Sequence, residues 1–281
     1  MIPKPIRIRL ASALTALTLL ATGPGPAAAA SEDTPRDVLS AAVEDFIQPG
    51  YRTFWNKAEA MGAAITPLCK TPSAPGLEVA REAFAELVTA WSEIEIIRFG
   101  PVIENNRMER ILFFPDRRGI GLRQIQQVLA EKDETATTPE RLADKSVALQ
   151  GLTTLEYLLY GTGAEDLAAG DEFRCKFAGS VAARIYATAG EIVEAWDDPD
   201  GIAARLSDPE PGNPDFRDER EGLQALLGVF VNSSELVADT RLKPFLGKSA
   251  ETAKPKRALF WRSGLPGASI DADMKGLEDF Y

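Results

Sequence analysis

Apolar positions recur along the chain at the three- and four-residue spacing of helices that are buried on one face. The longest such stripe runs from Val38 to Leu68, and a second runs from Val79 to Ile94. Further helical patterns cover residues 122–129, 138–161, 173–196, 216–242 and 265–281. No run of alternating β-branched residues predicts a strand. The pattern therefore predicts an all-α protein.

Proline and glycine divide these stripes. Pro49-Gly50 disturbs the first stripe, Gly100-Pro101 ends the second, and Thr138-Pro139 has the form of an N-cap followed by a proline at the first helical position. A further break lies near Gly161–Gly170. We therefore expect two antiparallel helical bundles, over residues 31–164 and 165–281.

Residues 1–30 have the pattern of a cleavable secretory signal. Lys4, Arg7 and Arg9 form a basic start, an apolar run follows from Leu10 to Ala21, and Ala28-Ala29-Ala30 supplies the small residues of a cleavage site. No cysteine precedes Cys69, so a lipid-modified cysteine at the cleavage point is excluded. No later segment is apolar for long enough to span a membrane. We expect a protein of the periplasm or cell envelope.

The balance of charge argues against a nucleic-acid partner. The chain of 281 residues carries 31 Lys+Arg and 42 Asp+Glu, a net charge of −11. Loss of the three basic residues of the signal changes this to −14. An acidic surface repels phosphate backbones and attracts cations. The chain also has no histidine, which excludes a Ser-His-Asp triad and a histidine-based zinc site.

The two cysteines, Cys69 and Cys175, form a predicted disulfide, because exported proteins fold in an oxidising compartment. The alternative is two separately buried thiols. Without histidine partners, the pair makes a poor metal site.

An acid inside an apolar helix is the most unusual feature of the sequence. Glu156 has apolar or aromatic neighbours on both sides, and Thr153 shares its helix face. Such a carboxylate binds a metal, pairs with a cation, takes up a proton or reaches water. A salt bridge to arginine or an exposed carboxylate is the simplest alternative to a functional site.

Two irregular segments carry further charged candidates. Between Trp91 and Gly119 lie Glu93, Glu95, Arg98, Asp116 and Arg118, together with other arginines. These residues line a cleft or form solvated surface ion pairs. The second segment, residues 260–266, places Arg262 beside aromatic residues, which fits either a guanidinium that faces a pocket or the packed start of the last helix.

In this order along the chain, these segments resemble the imelysin family. The matching pieces are Arg98-Phe99-Gly100-Pro101, Phe114-Pro115-Asp116, Gly151 to Leu159, and Phe260-Trp261-Arg262-Ser263-Gly264. The resemblance implies an exported protein of two four-helix bundles related by duplication, with a site between them. It also implies an association with iron uptake, including envelope iron-uptake proteins as partners. The founding members were described as metallopeptidases.

The family motif G-x-H-x-x-E is altered in this chain. Gly151 and Glu156 match it, but Thr153 stands at the histidine position. A threonine hydroxyl is a poor metal ligand, and a zinc-type catalytic site needs three protein ligands. A metal site here would be built from oxygen ligands, Glu156 with Glu93, Glu95 or Asp116, which suit iron or another hard cation.

Family members usually continue past the position of Tyr281, so the resemblance leaves open two alternatives: a second bundle that is shortened at its end, or a sequence that is a fragment. Exposed apolar surface would then promote association.

Three functions follow as hypotheses. The first is a non-catalytic binding protein for iron uptake or homeostasis, in which Glu156 and Asp116 meet a metal ion while Arg98 and Arg262, with Thr153 and Arg118, hold a small anionic ligand. The second is a metal-dependent peptidase. The third is a structural or partner-binding helical protein, in which the same charged residues form ion pairs only.

Overall fold

In a computed structural model of the protein, residues 34–281 are described, and the predicted signal, residues 1–30, lies outside them. The described chain consists of α-helices, short 3₁₀ and π segments and loops, without a strand, which confirms the all-α prediction. The helices are α1 (Pro35–Ala41), α2 (Gln48–Lys70), α3 (Ala74–Ile94), α4 (Arg107–Ile111), α5 (Ile120–Glu131), α6 (Pro139–Ala143), α7 (Leu152–Tyr160), α8 (Asp166–Ala169), α9 (Glu172–Asp197), α10 (Ile202–Ser207), α11 (Glu219–Leu236), α12 (Lys243–Leu246) and α13 (Pro266–Phe280).

The first apolar stripe is a nearly continuous helical path. A π-helical turn, Ala42–Ile47, joins α1 to α2. Pro49 is the second residue of α2 and comes directly after the π turn, and the helical path continues through the Pro49-Gly50 pair. At Gly50 a Cβ atom would lie 2.5 Å from Cδ1 of Ile94, so the glycine permits the close approach of α3.

The core is organised around α2, which packs against both α3 and α9. Tyr51 and Phe54 of α2 are fully buried with Trp91 of α3 and Trp196 of α9. The Phe54 and Trp91 ring centroids lie 5.0 Å apart, and the Tyr51 hydroxyl donates a hydrogen bond to the Ile97 carbonyl at 3.1 Å. The last helix, α13, packs along α3. Residues from both predicted bundles thus share one apolar core, while the division at residues 164 and 165 stays a prediction.

The stretch 138–161, predicted as one helix, is interrupted. It forms α6, a 3₁₀ turn over Val147–Leu149 and then α7. The Gln150 side chain donates hydrogen bonds to the carbonyls of Ala143 and Lys145, which takes the place of helical bonding between the segments. This interruption lets α7 begin afresh at residue 152 and turn Thr153 and Glu156 toward the site described below.

A disulfide joins Cys69 near the end of α2 to Cys175 near the start of α9, as the sequence predicts, with the Cα atoms 5.6 Å apart. The bond links two helices that already pack along each other. Among residues 34–281, no helix is both long and apolar enough to cross a membrane.

Candidate functional site

A cavity of about 540 Å³ opens between four segments of the chain: the loop at residues 113–121 with the start of α5, the inner face of α7, residues 239–244, and a strap that we define as residues 254–264. The strap contains one 3₁₀ turn, Pro255–Arg257, and otherwise turns and loop, and it leads into α13. The volume of the cavity is in the range of sites for small organic molecules. Four of the predicted site residues line it, Asp116, Thr153, Glu156 and Arg262.

Glu156 connects α7 to the strap. Its side chain is almost fully buried, with 3% of the residue exposed. Atom Oε1 accepts hydrogen bonds from the backbone N–H of Arg262 at 2.9 Å, and from the backbone N–H and the hydroxyl of Ser263 at 3.0 Å each. Burial raises the pKa of Glu156, and the hydrogen bonds from Ser263 and the charge of Arg262 oppose that rise.

Arg262 is held by aromatic rings. Its guanidinium carbon lies 4.5 Å from the centroid of the Trp261 ring and 5.2 Å from that of Tyr157 on α7. Contacts of this kind are attractive because a cation faces the electron-rich side of a ring. The guanidinium is therefore placed at the cavity wall while its own backbone N–H is bound to Glu156.

Asp116 has a local structural role. Its carboxylate accepts hydrogen bonds from the backbone N–H groups of Ile120 at 2.8 Å and Leu122 at 3.3 Å, so it caps the start of α5. Gly119, with φ of +62°, makes the turn that brings the carboxylate back onto these donors. At a helix N-terminus the negative charge is also favoured by the helix dipole.

The charged groups around the cavity are not balanced within the protein. The three acids are engaged: Glu156 and Asp116 as described, and Asp239 in an ion pair with Lys243. Four cations line the cavity, Arg117, Lys256, Arg257 and Arg262. Within residues 34–281, none of these four has a salt bridge to a carboxylate. A net positive site therefore lies in a strongly acidic chain.

Sequence reasoning missed the contribution of Lys256 and Arg257. The signal that could have found them is the run Lys254-Pro255-Lys256-Arg257, three basic residues within four in a chain of net charge −11. Arg117 and its neighbour Arg118 are both exposed, but only Arg117 lines the cavity. The Arg118 carbonyl accepts a hydrogen bond from the Arg123 side chain.

Glu95, another predicted residue, belongs to a buried cluster near the cavity. Arg98, also predicted, is only partly buried, and its charge acts on Asp273 of that cluster. Glu95 accepts hydrogen bonds from Nη2 of Arg241 at 2.5 Å and from the indole of Trp91 at 3.1 Å. The Arg241 Nε atom lies 3.8 Å from Oδ2 of Asp273 on α13. All of these side chains except that of Arg98 are buried.

Asp273 is the partner that sequence reasoning did not single out. Burial raises its pKa, the negative charge of Glu95 raises it further, and the charges of Arg241 and Arg98 act in the opposite direction. Arg241 also connects this cluster to the cavity, since its guanidinium carbon lies 5.5 Å from the ring centroid of Phe114, a cavity residue.

The four carboxylates suggested as metal ligands are therefore distributed over different places. Glu156 and Asp116 line the cavity, and Glu95 lies in the buried cluster. Glu93 lies on the partly exposed face of α3. A hydrogen bond to Asp279 raises the pKa of Lys275 on α13, and the negative charge of Glu93 raises it further. The described part of the chain contains no group of three or more His, Cys, Asp or Glu side chains placed to hold a metal ion. The residues present do not fit a resident metal.

The structure explains why the family motif begins with a glycine, Gly151 in this chain. A Cβ atom on Gly151 would overlap the carbonyl oxygens of Ile111 and Arg110, so only glycine permits this contact between α7 and α4. Thr153, at the histidine position, is half-buried and faces the cavity.

Comparison with known proteins agrees with this architecture. The sequence profile described as Imelysin matches residues 47–281. No curated protein sequence matches the chain. An imelysin-like protein from Psychrobacter arcticum 273-4 superposes with a TM-score of 0.71 at 20% identity, covering 86% of this chain and 72% of the other. A protein named as an iron-regulated protein A precursor, from Parabacteroides distasonis ATCC 8503, gives 0.70 at 14% identity, with coverages of 89% and 74%. The profile spans most of the sequence, and the chain therefore belongs to the imelysin family.

Proposed function

We propose that this protein is an exported, non-catalytic binding protein of the periplasm or cell envelope. Its cavity binds a small organic anion, and it serves iron acquisition or homeostasis by taking iron as an anionic chelate. The observation that carries the proposal is the imbalance at the cavity, where four cations lack a carboxylate partner and all three acids are already engaged.

The form of the cargo follows from the same imbalance. A bare cation would be repelled by Arg117, Lys256, Arg257 and Arg262, and the dispersed carboxylates supply no ligand set for it. An anion gains charge-assisted hydrogen bonds from guanidinium groups, which match carboxylate oxygens in pairs. Apolar and aromatic side chains such as Phe113, Phe114 and Leu122 complete the wall and suit an organic body.

The link to iron is supported by the family and by the name of one structural relative, the iron-regulated protein A precursor. Ferric iron chelated by a multivalent carboxylate carries the negative charge that this cavity accepts. Iron is thus the cargo of the ligand rather than a cofactor of the protein.

Isothermal titration calorimetry of the purified protein tests the proposal. The probes are citrate, ferric citrate, benzene-1,3-disulfonate, Fe(II) without oxygen, and Ca(II). We expect heat of binding for the anions, with ferric citrate as the strongest, and none for the two cations. Binding of Fe(II) or Ca(II) without any anion, or no binding of any anion, would overturn the proposal.

Neighbouring arginines give a matched control. Arg117→Ala removes a cation from the cavity and should weaken binding of the anion about fivefold or more, the loss expected for one charge-assisted contact. Arg118→Ala removes the same charge one residue away, outside the cavity. Equal effects of the two substitutions would show that the chain's general charge, and not this cavity, determines binding.

A further inference from the structure

We propose that Glu156 is a positioning residue for anion binding: it holds the backbone of residues 262 and 263 so that the Arg262 guanidinium meets the ligand, and it does not itself contact the ligand. This inference rests on the proposed function of the cavity. It means that the glutamate of the family motif binds the backbone of the strap and does not serve as a metal ligand.

The hydrogen bonds of Glu156 all lead to the strap. Three donors converge on one carboxylate oxygen, Oε1, and two of them are backbone N–H groups of consecutive residues, Arg262 and Ser263. Two successive N–H groups that face one anion fix the orientation of the peptide between them. The direction in which the Arg262 side chain leaves the backbone is therefore set by α7.

The turn that carries Arg262 needs such an anchor. Phe260 has φ of +57°, a left-handed conformation that non-glycine residues rarely adopt, and Gly264 has φ of +74°. The Ser263 hydroxyl lies 3.0 Å from both Glu156 Oε1 and the Phe260 carbonyl, and its single proton is shared between these two acceptors. The Phe260 carbonyl also accepts a hydrogen bond from the Leu265 N–H at 3.1 Å. Ser263 thus joins Glu156 to the carbonyl of the strained residue, and one hydrogen-bonded unit maintains the turn.

The Arg262 side chain is ordered before a ligand binds, and this order should strengthen binding. An arginine side chain free to rotate loses conformational freedom when a ligand orders it, and that loss weakens binding. Here the guanidinium is already held between the rings of Trp261 and Tyr157 before a ligand arrives. Loss of the Glu156 contact would release the backbone from which the guanidinium is placed.

Ser263→Ala is the sharpest test, because Ser263 is not among the cavity-lining residues and cannot contact the ligand in place of Arg262. The substitution removes one bond to Glu156 and the bond to the Phe260 carbonyl. We expect about threefold to tenfold weaker binding of the anion that the wild type binds most tightly, with the binding stoichiometry unchanged. Ser234→Ala is the control, since that exposed hydroxyl bonds only within α11.

A pH profile separates positioning from mere structural support. Acidification protonates Glu156, and a neutral carboxyl is a weaker acceptor for the three donors. The charge of Arg262 faces Glu156. Burial raises the pKa of Tyr160 to about 12, so that hydroxyl stays neutral on acidification. The affinity of the wild type should fall on acidification more steeply than that of Glu156→Gln, which binds about fivefold more weakly at neutral pH. Asp116 and Asp239, the other acids of the cavity, are present in both proteins, so the difference between the two profiles isolates Glu156.

The outcomes are distinguishable. If the wild type binds no anion, both the proposed function and this inference fail. If the wild type binds and Arg262→Met does not, while Ser263→Ala and Glu156→Gln keep wild-type affinity and pH profile, the cavity function stands and the positioning role is overturned. A loss of unfolding free energy without a change in the affinity of the folded protein would likewise overturn it.

Discussion

A carboxylate oxygen of Glu156 accepts two hydrogen bonds from Ser263, one from its backbone and one from its hydroxyl, each 3.0 Å long, across 107 positions of sequence. These bonds tie the middle of α7 to the segment that precedes α13. Buried Leu259 and Phe260 anchor the strap in the core, and the Glu156 contact holds the backbone of residues 262 and 263 that follow them.

The free energy of unfolding should depend on pH because Glu156 is buried. The folded-state pKa of Glu156 is raised above its ordinary value of 4.5, so the folded protein holds the proton to higher pH than the unfolded chain does. The free energy of unfolding should therefore fall as pH rises from about 4.5 through the folded-state pKa. Urea titrations across this range should show that Glu156→Gln lacks this contribution. Glu194→Gln, at an exposed position of α9, should keep the wild-type slope; identical slopes for all three proteins would contradict the assignment.

Gly151 and Gly179 should respond oppositely to alanine. At Gly151 the new methyl group would overlap the carbonyl oxygens of α4, so α7 must shift and we expect a loss of about 2–4 kcal/mol in the free energy of unfolding. At Gly179, inside α9, a Cβ meets nothing within 4 Å, and the higher helix propensity of alanine should stabilise by about 0.5–1 kcal/mol. Chemical denaturation of both variants checks this pair. Similar costs at both sites would show that the α7–α4 contact is not tight.

The disulfide should contribute substantially to stability. Its cysteines are separated by 106 positions, and closure of so long a loop is worth at most about 4–5 kcal/mol in the chain-entropy model, with about 2–4 kcal/mol the usual result. The Cys69→Ser, Cys175→Ser double variant should lose that amount in urea unfolding. A reductant should lower the wild type to the level of the double variant and leave the double variant unchanged. A wild type insensitive to reductant would contradict the prediction.

Substitution of Arg241 should lower the free energy of unfolding much more than substitution of Asp273. Arg241→Met leaves the Glu95 carboxylate buried without its cation, and we expect a loss of about 3–5 kcal/mol in the free energy of unfolding. Asp273→Asn should cost little at neutral pH, because burial and the Glu95 charge favour the neutral form of this side chain.

The pH dependence distinguishes these roles. The raised pKa of Asp273 makes the wild-type free energy of unfolding fall as pH rises above about 3.8, and Asp273→Asn should remove that slope. A cost for Asp273→Asn equal to that of Arg241→Met would show that Asp273 is an ionised partner of the arginine.

The helical architecture could be predicted because its causes are local. Apolar spacing gave the positions of α2, α3, α9 and α11. The end of α3 was predicted too late, since the helix ends at Ile94 and Gly100-Pro101 begins a 3₁₀ segment. The interruption of 138–161 could not be predicted, since it depends on which carbonyls the Gln150 side chain reaches. The disulfide could be predicted because only two cysteines were available.

The candidate site was only partly predictable, since its partners come from distant segments. Sequence reasoning selected Glu156, Asp116 and Arg262, which do line one cavity. It could not separate Arg98 and Glu95 from them, because the pairing of Glu95 with Arg241 links positions 146 residues apart. It also could not foresee that the donors to Glu156 would be backbone groups, which look the same at every residue in a sequence.

Three of the four cavity cations, Lys256, Arg257 and Arg262, are carried by the strap and not by the helices that form the core. Substitutions of these three side chains change charge and reach at the cavity, whereas Phe260 of the same strap packs against Phe84 of α3 and belongs to the core. The charge at the cavity is thus separable from the scaffold, and the strap is the place where an engineer would begin to change it.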